Sequence, residues 1–92
     1  MNLKETLKEI LSILENVNER EWIPVFSNFV IDIEIMHPKD FERRVLKIYG
    51  GMGSFNDLVL YNKGNLCFEE NVKLDQLRKK LYEEITDKIK RR

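Results

Sequence analysis

Apolar residues recur at three- and four-residue steps from the start of the chain. Leu3, Leu7, Ile10, Leu11, Leu14 and Val17 fall on one helical side, with charges between them. The spacing predicts a helix over 2–18, capped by Asn2, with Glu5 three positions on as in a capping box. The polar run "NVNER" breaks it. Over 21–36, Trp22, Val25, Phe26, Phe29, Val30, Ile33 and Met36 fit a second helical face, while Glu21, Asn28 and Asp32 form a narrow polar stripe. Pro24 suits the first turn. A strand across "FVIDIEI", residues 29–35, competes, because Asp32 and Glu34 alternate with β-branched isoleucines. Length and the wider pattern favour the helix.

Pro38 stops whatever precedes it and suits the first turn of a third helix over 38–49, with Phe41, Val45, Ile48 and Tyr49 inward and Arg43, Arg44 and Lys47 outward. Two short strands follow, 57–61 and 65–68, joined around Asn62-Lys63-Gly64. Leu58 and Leu60 share one face of the first strand, and Val59 and Tyr61 the other. A hairpin alone is unstable in water, so one face must lie on the helices. A final helix over 71–90, capped by Asn71, carries the seam Leu74, Leu77, Leu81, Ile85 and Ile89. The pattern as a whole predicts a mainly α protein: a small bundle of about four helices, with a short β-hairpin between the third and the last.

Ninety-two residues, 42% of them apolar, make one domain over 1–92 with a modest core. The 35% charged residues cancel to a net charge of zero, which argues against a general nucleic-acid binder. The zero conceals a division, because residues 1–36 carry −4 and the rest carries +4. A polarised surface favours oriented docking to a charged partner. Cys67 is the one cysteine, so no internal disulfide forms and a reducing, cytoplasmic setting is expected. The opening residues are charged every few positions and lack the apolar core of a signal peptide. No stretch is apolar enough to span a membrane.

"YGGMGSFNDLVLY", residues 49–61, holds three of the four glycines. Phosphate-cradling loops follow a strand and open a helix. Here the predicted order is helix, glycines, strand, so Gly50 or Gly51 is expected to end a helix in the left-handed conformation and Gly53 to allow a second bend. Phe55 is expected to plug the core, with Asn56 and Asp57 either capping the turn or recognising a partner. His37 is the only histidine and reads as a cap before Pro38. Cys67 reads as a small buried filler, and Ser54 lacks an assured base. Glu69-Glu70 and Glu83-Glu84 read as solvated charge. No catalytic set, metal site or cofactor is predicted. The basic stretch Arg78–Arg92 has only Tyr82 for base stacking and reads as a solvated helix end; a nucleic-acid-binding regulator using it is the alternative reading. Trp22, Phe26 and Phe29 at helical spacing belong in the core.

"IYGGMGSFNDLVLYNKGN" resembles a signature of a family of small uncharacterised bacterial proteins, and "LDQLRKKLYEE" and the upstream Trp22 match its further parts. That family implies no reaction. Proteins of this kind are similar to immunity proteins of bacterial toxin systems, including contact-dependent inhibition, which implies a cytoplasmic binder of one cognate toxin domain. On that expectation Glu15, Glu19, Glu21, Asp32 and Glu34 face a basic nuclease, and Phe55, Asn56 and Asp57 add a shaped contact.

Overall fold

The computed structural model of the protein describes residues 2–91. It contains four helices, α1 (Leu3–Asn16), α2 (Ile23–Ile35), α3 (Pro38–Leu46) and α4 (Phe68–Lys90). Between α3 and α4 lie a glycine loop, a turn of 3₁₀ helix at Phe55–Asp57 and a hairpin of β1 (Tyr61–Asn62) and β2 (Asn65–Leu66). The fold is the predicted one, and α2 is a helix throughout. Its Phe26 and Phe29 are buried, and the pull of that face outweighs the β-branched run at its end.

The caps explain the boundaries. Asn2 Oδ1 accepts from Glu5 N at 2.9 Å and opens α1. His37 Nδ1 accepts from Lys39 N at 3.2 Å and opens α3, with Pro38 just inside. Three predicted bounds move. The third helix ends at Leu46 rather than 49, because its terminal turn tightens before the glycines: Ile48 N donates to Val45 O and Tyr49 N to Leu46 O. The strands shrink from 57–61 and 65–68 to two residues each, since Phe55–Asp57 coils into 3₁₀ geometry and Phe68 already belongs to α4. Asn71 is not the cap of α4. It sits one turn inside, with Cys67 at the N-cap position and only partly buried rather than a core filler.

Among the described residues sixteen buried apolar side chains form one core, contributed by every helix together with Val17, Phe55 and Leu60. α1 and α2 run antiparallel, tied at one end by the Lys4–Glu34 ion pair. Thr6 Oγ1 donates to Glu84 Oε1 at 2.6 Å and pins α1 against the C-terminal half of α4. The bundle measures 43 × 26 × 21 Å. The α1–α2 turn, the glycine loop, the hairpin and the first turns of α4 gather at one end, joined by the Trp22–Phe55 contact and by Asn71 on Leu60. Lys4, Glu34 and the start of α3 lie toward the other.

Candidate functional site

Phe55 is fully buried, the wedge on which the loop-bearing end is built. Its ring centroid lies 4.9 Å from that of Phe26, 5.3 Å from Trp22 and 5.9 Å from Tyr49. Glycine conformations deliver it there: Gly51 at φ +78° and Gly53 at φ +76° turn the chain through the left-handed region. Phe55 N then donates back to Ile48 O at 2.9 Å, closing the loop.

Arg78 of α4 locks this wedge. Its Nη1 donates to Phe55 O at 2.5 Å and its Nη2 to Leu58 O at 3.2 Å, while the guanidinium lies 5.6 Å from the Phe55 ring centroid. Asp75 balances the charge, and the Arg78 side chain is only 11% exposed. The sequence reading placed Arg78 in a solvated basic tail. Arg92, the end of that tail, lies outside the described residues.

Tyr49 Oη donates to Arg78 O at 2.6 Å. Burial raises its phenol well above the usual tyrosine range, against a smaller opposing pull from Arg78. Because the folded state disfavours the phenolate, this contribution to stability is complete below the unfolded value of about 10 and is lost as pH rises above it. Urea midpoints therefore fall above about pH 10, and Tyr49→Phe removes the part of that fall due to Tyr49.

Asn71 holds the hairpin. Its Oδ1 accepts from Leu60 N at 2.8 Å, and its Nδ2 donates to Leu60 O at 3.0 Å and to Cys67 O at 2.8 Å. A side-chain amide thus stands in for the next rung of the ladder. Leu60 is driven inward, and the alternation turns Val59 and Tyr61 outward. Tyr61 pairs opposite Leu66, and Cys67 N bonds Leu60 O at 3.1 Å, so Val59 falls opposite Phe68. The outward face is therefore apolar: Val59 is 49% exposed, Tyr61 59%, Leu66 55% and Phe68 72%, with Val72 one helical turn beyond Phe68. A groove of about 290 Å³ runs between this face and α4, lined by Leu58, Val59, Leu66, Phe68, Val72 and Asp75 among others. Solvated hairpin faces are ordinarily polar. The reading from sequence saw both apolar sets of the first strand without concluding that one had to remain outside.

The residues expected to meet a partner divide into two groups. Glu15, Glu19, Glu21, Phe55, Asn56 and Asp57 lie at the loop-bearing end, joined through the Trp22–Phe55 contact. Asp32 and Glu34 lie toward the opposite end of α2 and are engaged within the protein. Asp32 Oδ2 accepts from Arg44 at 2.7 Å, and Glu34 pairs with Lys4, whose hydrogen bond holds its carboxyl below the usual range. Glu19 Oε2 accepts from Trp22 N at 2.7 Å, and Asp57 Oδ2 from Gly53 N at 2.9 Å. Asn56 is exposed, with its N–H bonded to Ser54 Oγ at 3.3 Å. It borders a wide cleft of about 630 Å³ with Tyr49, Lys79 and Tyr82.

Residues 15–22 and 50–75 hold seven acidic and three basic side chains, and Arg78 and Lys79 of α4 adjoin the glycine loop. His37 caps α3 at one end while Ser54 caps the 3₁₀ turn beyond its other end. Among the described residues no three His, Cys, Asp or Glu side chains are placed to share a metal ion. No helix in the described residues is long and apolar enough to cross a membrane.

Residues 15–67, more than half of the chain, match the family described as Domain of unknown function (DUF6966). The chain belongs to that family. The match begins in the last turn of α1 and covers α2, α3, the glycine loop and the hairpin, stopping one residue before α4. No curated protein and no solved structure matches the chain.

Proposed function

We propose that this protein is a small cytoplasmic protein-binding domain, an immunity protein that occludes a bacterial toxin domain. One observation carries the binding reading. A hairpin held rigidly by Asn71 and Arg78 presents Val59, Tyr61, Leu66 and Phe68 outward as one apolar face. Exposed apolar surface rimmed by polar groups is the mark of a docking site, and large side chains on a preorganised support bind at a low cost in ordering. The acidic side chains near the hairpin, Asp57, Glu69 and Glu70 among them, suit a basic partner such as a nuclease domain, by steering encounter and by disfavouring acidic competitors. The resemblance to small bacterial immunity proteins supplies the toxin class.

On this reading Leu66, Phe68 and Val59 form the apolar centre of the contact. Glu21, Asp57, Glu69 and Glu70 form its acidic surroundings. Asn56 offers a side-chain amide at the margin.

The test is co-expression with bacterial toxin nuclease domains, beginning with any encoded beside this gene. The expected result is protection of the cell and a complex that co-purifies. Phe68→Asp combined with Leu66→Asp abolishes both while leaving the melting temperature within a few degrees, since both side chains are already exposed. Absence of protection and of a complex with the unaltered chain overturns the toxin assignment. Full protection by the double variant overturns the assignment of this face.

A further inference from the structure

The hairpin has an unused backbone edge. Lys63 at φ +53° and Gly64 at φ +80° form the two-residue turn of a tight hairpin. In that register Asn62 and Asn65 form a bonded pair, Tyr61 and Leu66 a non-bonded one, and Leu60 and Cys67 a bonded one. The N–H and C=O of Val59 and Tyr61 therefore point away from β2. Among the described residues no hydrogen bond engages them. Natural edges are ordinarily guarded by lysine, proline or an inward charge. The segment Leu58-Val59-Leu60-Tyr61-Asn62 carries none of these.

We propose that this edge pairs with the same edge of a second copy of the chain, antiparallel about a two-fold axis at Leu60. The arrangement is self-complementary. Val59 meets the other copy's Tyr61 and the reverse, giving four backbone hydrogen bonds and a four-stranded sheet with β1 strands at its centre. Asp57 and Lys63 flank the paired segment, so the two-fold brings Asp57 of each copy to the margin of the junction occupied by Lys63 of the other. Lys63 is exposed and in no ion pair among the described residues, and Asp57 uses only Oδ2 internally. The outward rows of Val59, Tyr61, Leu66 and Phe68 from the two copies then join into one surface. The proposal stands independently of the toxin-binding reading, because it uses the edge of the hairpin and not its face.

Four backbone bonds with two rim ion pairs bury less than a standard interface, so the dimer is weak and its population rises with concentration. Sedimentation equilibrium of the intact protein, from micromolar to near-millimolar, is expected to show a shift from the 11.1 kDa chain toward twice that mass. Amide exchange at Val59 and Tyr61 slows over the same range. Val59→Pro removes one edge donor and is compatible with Leu58, whose backbone at φ −67°, ψ +124° suits a residue before proline. It is expected to stay monomeric. Lys63→Asp preserves an Asp-Gly turn but sets two carboxylates against Asp57, weakening association by about tenfold. A single 11.1 kDa species throughout overturns the proposal. Dimerisation untouched by Lys63→Asp overturns this register, even where Val59→Pro fails to fold.

Discussion

Replacing Phe55 by alanine is expected to remove about 4 kcal/mol of stability. The ring has no exposed surface and touches three other aromatic rings, from the α1–α2 turn, from α2 and from the end of α3. Truncation leaves a void that Trp22, Phe26 and Tyr49 cannot fill together, because each is held from a different element. A domain of this length has roughly 5–14 kcal/mol in total, so the variant sits close to its unfolding threshold. Urea denaturation with an unchanged slope and a much lower midpoint is the expected signature. Phe55→Leu, which keeps most of the volume, loses about 1 kcal/mol. Equal losses for alanine and leucine would show that ring contacts and not volume dominate.

Arg78→Ala is expected to cost about 3 kcal/mol. The guanidinium donates to two carbonyl oxygens of a segment without regular structure, and deleting it leaves Phe55 O and Leu58 O without their donors. Because the side chain is 11% exposed, water recovers little of that loss. Thermal melts should fall by roughly 15 °C. Arg78→Lys recovers only part of it, since one ammonium lacks the planar fork that reaches both oxygens. A melt within a few degrees of the unaltered protein would place the loop's support elsewhere.

The helices were legible in the sequence because amphipathic spacing is a local property, and α1 and α4 repeat theirs over several turns. The glycine loop was legible as well. Positive φ at Gly51 and Gly53 and the inward Phe55 follow from residue chemistry alone. What escaped depends on partners distant in sequence. Arg78 finds its acceptors 20 and 23 residues away, and nothing in its neighbourhood announces them. Asn71 has the residue type of a cap and was read as one, yet its amide serves Leu60, eleven residues earlier. The acidic residues looked like one group because they are near in sequence. An antiparallel pair of helices puts Glu15, Glu19 and Glu21 toward one end and Asp32 and Glu34 toward the other, where Lys4 and Arg44 already engage the latter two. The hairpin's outer face was visible as alternation, but which side met the bundle depended on α4.

The stretch that marks the family stops at residue 67, while nine of the sixteen core side chains lie outside it, on α1 and α4. Arg78 and Asn71 lie outside it too. The glycine loop and hairpin therefore have no shape of their own to inherit. The recognisable segment is a lining, and α4 is the frame on which it is stretched. Drift in the sequence of α4, beyond the stretch that the family match covers, would reshape the displayed face without altering one residue of it.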